Sequence, residues 1–382
     1  MNTNKRIGIL TSGGDCPGLN CAIRAAVSHA TLTYGWEVLG IPYATQGLLE
    51  RQTIPLNIHG WDLRGIDPLL NMGGTILGTI NKGDTLAHTG EMLASYEALG
   101  LDALIAIGGD GSLAILHQLA TLGNWNLVAI PKTIDNDVAL TERSIGFDTA
   151  VNTIVDALNR LTFTAASHDR VMIVEVMGRT AGHLALHAGI AGGADVILIP
   201  EIPYTIKGLC EHLTQLRDRW RRKFAIIVVA EGATFCLEDL ASSFSCGSHS
   251  TSKCGRGQYV AEQIASCSCN LIDTRVSVLG HIQRGGIPSA LDRLTATIFG
   301  KTAVDFIAHK QFNQMLAWRH GEVVGVPIAE VVAQSPCLVD PYGYLVQCAH
   351  SLGIYLGETF DISGNECRDV TWNISTRVSG HV

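Results

Sequence analysis

"LDALIAIGGDGSLA" (Leu101–Ala114) reads as a strand that stops abruptly at two glycines, an aspartate and a third glycine before a helical pattern begins. Its apolar run is continuous rather than alternating, which is the pattern of a strand covered on both faces. "LVAIPKTIDND" (Leu127–Asp137) repeats the plan: a short apolar run, a proline, then carboxylates that a chain normally keeps out of its core. Working outward, further strands are expected at Arg6–Leu10, Arg170–Met177, Ala194–Ile199, Phe224–Gly232 and Arg275–His281, with helical stretches such as "LNCAIRAAVSHAT" (Leu19–Thr31) between them. This is an α/β fold, expected as two doubly wound lobes with parallel sheets and a cleft between them. In such sheets ligands bind beyond the carboxyl ends of the strands, where the glycine and aspartate clusters fall.

The composition agrees with a compact enzyme. The chain has 382 residues, 47% apolar and 16% charged, with 41 glycines, enough for two domains with a sizeable core. A net charge of −8 disfavours a nucleic-acid partner, so a phosphate ligand would have to be met by local arginines. No apolar run reaches the roughly 18 residues of a membrane span, and "MNTNKRIGIL" is not a signal peptide. The expectation is a soluble cytoplasmic protein without a membrane partner. Of 11 cysteines, Cys236, Cys246, Cys254, Cys267 and Cys269 fall in one Ser-rich stretch, and no C-x-x-C pair occurs. They read as reduced apolar residues and loop thiols rather than a zinc site. Phe235–Gly257 reads as a surface loop or insertion.

Three glycine-rich turns are expected before helices: Ser12–Asp15, Gly73–Gly78 and Gly108–Ser112. Glycine lets backbone N–H groups approach an anion, and a helix N-terminus adds positive potential. Neither G-x-x-x-x-G-K-[ST] nor G-x-G-x-x-G is present, so ordinary P-loop and dinucleotide readings lack their fingerprints. Asp110, between Gly109 and Gly111, suits a Mg²⁺ that bridges nucleotide phosphates, because magnesium takes one or two carboxylates plus phosphate oxygens. Asp135 and Asp137, two apart on an extended segment, would share a side and could take a proton from a substrate hydroxyl. The competing reading is an Asx turn. His183 and His187, at i and i+4, read as a helix face in a core rather than as metal ligands.

"GILTSGGDCPGLNCAIR" (Gly8–Arg24), "GGDGS", "PKTIDND", "EVMGRTAG" (Glu175–Gly182) and "VLGHIQRGGIPSALDR" (Val278–Arg293) together resemble the bacterial-type 6-phosphofructokinase family, in family order from residue 6 to about 335. The resemblance implies a glycolytic kinase that makes fructose 1,6-bisphosphate from ATP and fructose 6-phosphate. It implies a nucleotide lobe of 1–145 plus about 284–335, and a sugar-phosphate lobe of 146–283 plus about 336–382. It implies a homotetramer, or dimer of dimers. Carried over residue by residue, Gly14, Gly109, Gly111 and Ser112 line the phosphates and Asp110 holds Mg²⁺. Asp135 is the base for the sugar 1-hydroxyl, beside Thr133 and Asp137. Met177, Gly178, Arg179, Glu231, His281 and Arg284 contact the sugar phosphate, with Arg179 also among the catalytic residues. Arg170 and Arg275 match arginines that the family donates from a neighbouring subunit; forked, permanent charges suit a phosphate dianion.

The resemblance mixes signals on the phosphoryl donor. Glycine at 111 goes with ATP, since a carboxylate there would occupy and repel the nucleotide's α-phosphate. Lys132 before the threonine goes with pyrophosphate, although a long-chain ATP-using subgroup combines both, and "HAGIAGGADVILIPEIP" (His187–Pro203) resembles that subgroup. Exclusion at Gly111 is the stronger determinant, so ATP is expected. The alternatives are a pyrophosphate-dependent enzyme, a regulatory homologue that binds sugar phosphate, and a nucleotide- or lipid-kinase relative sharing only "GGDGS". Where the family often carries an arginine after the Gly73–Gly78 turn, this chain has Asn81 and then Lys82, and Lys82 is expected to supply part of that charge. An allosteric effector site between subunits would use Arg24, Arg222 and Asp195, with altered specificity because Ser28 and Trp220 replace basic residues of the family.

Overall fold

The computed structural model describes residues 5–58, 67–79, 85–235, 255–268 and 272–357. Its strands are β1 (Arg6–Thr11), β2 (Glu37–Gly40), β3 (Ile54–Pro55), β4 (Ala103–Gly108), β5 (Leu127–Pro131), β6 (Val171–Val176), β7 (Val196–Leu198), β8 (Ala225–Ala230), β9 (Thr274–Val278), β10 (Gln314–Arg319) and β11 (Glu322–Pro327). The helices are α1 (Leu19–Tyr34), α2 (Thr45–Leu49), α3 (Thr89–Ala98), α4 (Asp110–Gly123), α5 (Phe147–Ser167), α6 (His183–Ala191), α7 (Ile206–Trp220), α8 (Arg256–Cys267), α9 (Ala290–Ala308), α10 (Ile328–Gln334) and α11 (Tyr344–Ser351).

Two sheets result. The larger has the order β11-β10-β5-β4-β1-β2-β3 and the smaller β7-β8-β6-β9. All seven strands expected from continuous apolar runs are present. The larger sheet is mixed rather than wholly parallel, because β3 and β11 run antiparallel to β2 and β10. Both additions lie at sheet edges, where one exposed flank removes the need for an unbroken apolar run.

Alternation explains the continuous runs. In β4, Ala103, Ile105 and Ile107 face one core while Leu104 and Ala106 face another. In β6, Met172, Val174 and Val176 join the first core, and Val171 and Ile173 join a third on the far side of the smaller sheet. The first core touches both sheets, and α5 sets Ala150, Ile154, Leu158 and Ala165 into it along one face.

β1 lies between β2 and β4, so consecutive connections leave it in opposite directions. The carboxyl ends of β1 and β4 therefore border a switch-point crevice. Ser12 N donates to Ile107 O at 2.9 Å, which extends the β1–β4 ladder to the edge of that crevice. Among the described residues, no helix is long and apolar enough to cross a membrane.

Candidate active site

The crevice is built from glycine loops that let side chains cross backbone. A Cβ on Gly14 would stand 2.4 Å from Nη1 of Arg284, whose guanidinium packs over the loop and donates to Asp15 O at 3.2 Å. Lys132 is almost wholly buried and its Nζ donates to Gly14 O at 2.5 Å. Burial pulls its pKa down from the usual lysine range. Thr79 Oγ1 donates to Gly13 O at 2.6 Å, and Thr11 Oγ1 donates to Gly78 O at 2.8 Å, which hangs the Gly73–Gly78 turn on β1. Lys82 and Asn81 lie outside the described residues.

The second glycine loop is the start of α4 itself. Gly109 is the cap and Asp110 the first helical residue, so Gly111 and Ser112 lie inside the first turn rather than in a turn ahead of the helix. That turn has N–H groups with no partner within the helix, and they face the crevice. Among the described residues, no atom beyond its neighbours and its own helix backbone lies within 4 Å of the place a Cβ on Gly111 would take. The helix end thus has room for a phosphate chain.

The TIDND loop departs from the extended expectation. Asn136 has φ 50°, so Asp135 and Asp137 are not related by strand alternation. Asn136 closes the loop over a longer span than an Asx turn, its Oδ1 accepting from Ser144 N and Ser144 Oγ, each at 3.0 Å. Thr133 Oγ1 accepts from Asp135 N at 3.1 Å. Within this closure the Asp137 carboxylate is held by Thr133 and its own backbone. Asp135 Oδ1 is buried without a hydrogen-bond partner among the described residues. Burial, and then the charge of Asp137, push the Asp135 pKa up to about 6, while Arg284 pulls the other way. Asp137 is raised as well, by burial and then by Asp110. Asp110, Asp135, Asp137, Glu231 and Arg284 therefore face a common space.

The smaller sheet supplies the opposite wall. Met177 N donates to Oε1 of the fully buried Gln283 at 3.2 Å, and Glu231 N donates to Val176 O at 2.8 Å. A Cβ on Gly232 would come within 2.0 Å of Arg179 O, so glycine there lets the ends of β6 and β8 pack backbone to backbone. Gly178 has φ 119°, and Arg179 projects exposed beyond it. His281 and Arg284 follow β9 on a 3₁₀ turn spanning Gly280–Arg284.

Other expected residues lie elsewhere. Arg170 and Arg275 sit at the start of β6 and β9, roughly 20 Å of strand from Gly178. Asp273 bridges them: Arg170 Nε donates to its Oδ2 at 2.7 Å, and Arg275 Nη1 donates to its Oδ1. Arg24 pairs with Asp67, while Arg222 Nη2 donates to the buried Asp195 at 3.0 Å. Each effector candidate is thus engaged in its own neighbourhood within the chain.

His183 and His187 do share one face of α6: His187 Nδ1 bonds His183 O at 2.8 Å and its ring edges Phe147. The six described cysteines carry no disulfide. Cys236, Cys246, Cys254 and Cys269, with most of the expected 235–257 loop, lie outside the described residues. Gln283, Asn136 and Asp273 are contributors that residue-type reasoning passed over, because none bears chemistry on its own.

The donor set suits magnesium. Oxygen ligands from Asp110 stand beside carboxylates whose mutual repulsion a cation would relieve, and Asp135 has a buried, unpartnered oxygen. Among the described residues, no three His, Cys, Asp or Glu side chains cluster to hold a metal by themselves. A hard ion here would complete its shell with phosphate oxygens and water.

Comparison with known proteins agrees with this chemistry. Residues 6–307 match the family model described as phosphofructokinase. The chain is 81% identical to "ATP-dependent 6-phosphofructokinase 2" of Nostoc sp. strain PCC 7120, across 93% of this chain and 99% of that protein. It is 66% identical to "ATP-dependent 6-phosphofructokinase" of Thermosynechococcus vestitus, across 94% of each. In fold it is similar to the crystal structure of the pyrophosphate-dependent phosphofructokinase from Nitrosospira multiformis, with TM-score 0.77, 18% identity and full coverage of both chains.

Proposed function

The chain belongs to the phosphofructokinase family, and from that premise we propose how its cleft works. The reaction is ATP-dependent 6-phosphofructokinase chemistry: the γ-phosphoryl group of ATP passes to the 1-hydroxyl of fructose 6-phosphate, giving fructose 1,6-bisphosphate.

The α4 N-terminus takes the nucleotide phosphates through the backbone of Gly111 and Ser112, over the open space at Gly111. Asp110 holds Mg²⁺, which when bound offsets phosphate charge. Asp135 accepts the proton of the attacking hydroxyl, while Thr133 braces the loop. Arg179 and Arg284 offset the charge on the phosphoryl group and the sugar phosphate; Glu231, His281 and the Met177–Gly178 backbone orient the sugar. Lys132 ties the β5 end to Gly14 O, which supports reading it as a fixture of the loop rather than the determinant of a pyrophosphate donor. Lys82 contributes charge near the transferred group.

The larger sheet, with its strand ends and α9, forms a nucleotide lobe (1–145 and 284–335); the rest forms a sugar lobe. A homotetramer in the cytoplasm completes the site, with Arg170 and Arg275 reaching a neighbour's sugar phosphate. The Arg24 and Asp195–Arg222 neighbourhoods meet a phosphorylated effector at a subunit interface.

One observation carries this reading: the buried, unpartnered carboxylate oxygen of Asp135, on the loop between the α4 N-terminus and the Arg179 loop. The test is steady-state phosphorylation of fructose 6-phosphate with Mg-ATP and with Mg-pyrophosphate, on the parent protein and on Asp135→Asn. Turnover with ATP that Asp135→Asn abolishes is expected. Parent-like turnover by Asp135→Asn overturns the assignment of the base, and turnover with pyrophosphate overturns the role given to Gly111.

A further inference from the structure

The His187–Pro203 stretch has no part in the chemistry above, yet its Glu201 links the two walls of the cleft. Glu201 Oε1 accepts from Gly182 N at 2.9 Å and from Val339 N at 2.8 Å. Gly182 ends the Met177–Gly182 loop that carries Arg179, and it caps α6. The fit is close: a Cβ on Gly182 would stand 2.8 Å from Glu201 Oε2 and 2.4 Å from Ile199 Cβ. Val339 ends a short strap, Ser335–Val339, that leaves α10. At its other end Ser335 Oγ accepts from Ala139 N at 3.0 Å, and Cys337 N donates to Asp137 O at 2.6 Å. His183 Nε2 lies 3.1 Å from Cys337 O, a second tie from α6 to the strap.

The Asp135–Asp137 loop follows β5 of the larger sheet, and the Arg179 loop follows β6 of the smaller one. Among the described residues, no ladder joins the two sheets. The separation of the two loops is therefore set by the groups that bridge them, and the strap is such a bridge. Gly182 N and Val339 N both point at one carboxylate, a charge-assisted acceptor that fixes both donors together.

We propose that Glu201 is a positioning residue: through the Ser335–Val339 strap it sets the spacing between the catalytic aspartate loop and the Arg179 loop. This rests on the reading that Asp135 and Arg179 act on the same phosphoryl transfer. In-line transfer is sensitive to such spacing, since a misplacement of about 1 Å can cost on the order of 100-fold in rate. A role in stability alone would leave the kinetic constants of the folded enzyme unchanged.

The experiment compares Glu201→Ala, Glu201→Gln, His183→Ala and the Glu201→Ala/His183→Ala double variant, with the Tm of each as a folding control. Glu201→Ala is expected to lower kcat about tenfold and to raise the half-saturating fructose 6-phosphate concentration, with the KM for ATP unchanged. Glu201→Gln, which keeps one acceptor oxygen and the shape, restores most of the loss. His183→Ala falls in the same direction by less, and the double variant falls no further than Glu201→Ala, because both act through one strap. Parent-like kinetics in Glu201→Ala, or losses that multiply in the double variant, would overturn the proposal. If Glu201→Ala does not fold, His183→Ala and Ser335→Ala carry the same test of non-additivity. Asp135→Asn in the same assay separates the two readings: an active Asp135→Asn sinks the site, whereas an inactive one beside a normal Glu201→Ala sinks only the strap.

Discussion

The two walls of the cleft are built on different plans. On the larger sheet, side chains of its own loops hold the site backbone: Lys132 holds Gly14, Thr79 holds Gly13, and Asn136 closes its loop on Ser144. On the smaller sheet, backbone contacts fix Gly178 and Glu231, but Arg179 and His281 stand exposed, and Arg170 and Arg275 lie at the far end of the strands. On the proposed reading, the first wall takes the nucleotide and is preformed in one chain. On the same reading, the second wall takes the sugar phosphate and a neighbouring copy completes it. Substitutions on the first wall should therefore change chemistry and donor choice, while those on the second should change how much sugar phosphate is needed.

The largest effect is expected at Asp135. Replacing a positioned base costs about 10³-fold in kcat, and Asp135→Asn should show that loss with both half-saturation constants little changed. The parent's kcat/KM for fructose 6-phosphate should fall as pH drops through about 6, where Asp135 takes up its proton. Stability should move in the opposite sense. The folded carboxyl holds its proton more tightly than the unfolded one, so burying the charge costs stability above pH 6, and this cost fades as pH falls toward 3.8. Asp135→Asn should thus be more stable than the parent at pH 8, by roughly 3 kcal/mol, with the gap narrowing to about 1 kcal/mol at pH 4.5. Urea unfolding at the two pH values measures it. A gap of equal size at both would mean the site does not strain Asp135.

Next comes Gly111→Asp, which tests whether the preformed wall selects its donor. The space is open, so the carboxylate fits without moving the chain and stands where phosphates approach the α4 N-terminus. The expected result is a rise of about 100-fold in the KM for ATP from like-charge repulsion, with Tm held within a few degrees. An unchanged KM would place the nucleotide elsewhere.

Much of this contrast was legible in the sequence, and the reason is locality. The glycine and aspartate clusters announce themselves because each sits within a few residues of a strand end. Six of the seven expected strands are buried on both faces and show as apolar runs; the seventh, β9, is a half-exposed edge strand. β2 and β3 were not seen, being four and two residues long, nor was β11, an edge strand of mixed burial, while the buried run Met315–Ala317 of β10 was passed over. The fixtures of the site were hidden for a different reason. Glu201 meets Val339 across 138 positions, and Gln283 meets Met177 across 106, so neither contact leaves a local pattern. The extended reading of Asp135–Asp137 failed because a single residue, Asn136, takes a left-handed conformation and breaks the alternation.

Arg275→Ala probes the incomplete wall. Losing a charge-assisted contact to a phosphate is worth about 2 kcal/mol, or roughly 30-fold. That loss should appear in the half-saturating fructose 6-phosphate concentration rather than in kcat. Mixing Arg275→Ala chains with Asp135→Asn chains sharpens the comparison. If the arginine serves a neighbour's site, a mixed assembly contains some sites with both residues intact, and activity at low substrate rises above the sum of the separate variants. No rise on mixing would return Arg275 to its own chain.

The smallest effect concerns how that arginine pair is held before it meets a phosphate. Asp273 takes one N–H from each guanidinium, and most of the five donors on each fork remain for another ligand. The bridge therefore holds two like charges side by side, and without it they would drift apart through repulsion and rotamer freedom. Its own charge opposes an incoming phosphate, which limits the gain. Holding the pair prevails because each guanidinium gives Asp273 only one of its N–H groups, so the phosphate need not displace the carboxylate. Asp273→Asn should accordingly raise the half-saturating fructose 6-phosphate concentration about threefold, with kcat unchanged and the effect shrinking as salt screens the repulsion. A fall in that concentration would instead show that Asp273 competes with the phosphate, and the far end of β6 and β9 would be a guarded site rather than a prepared one.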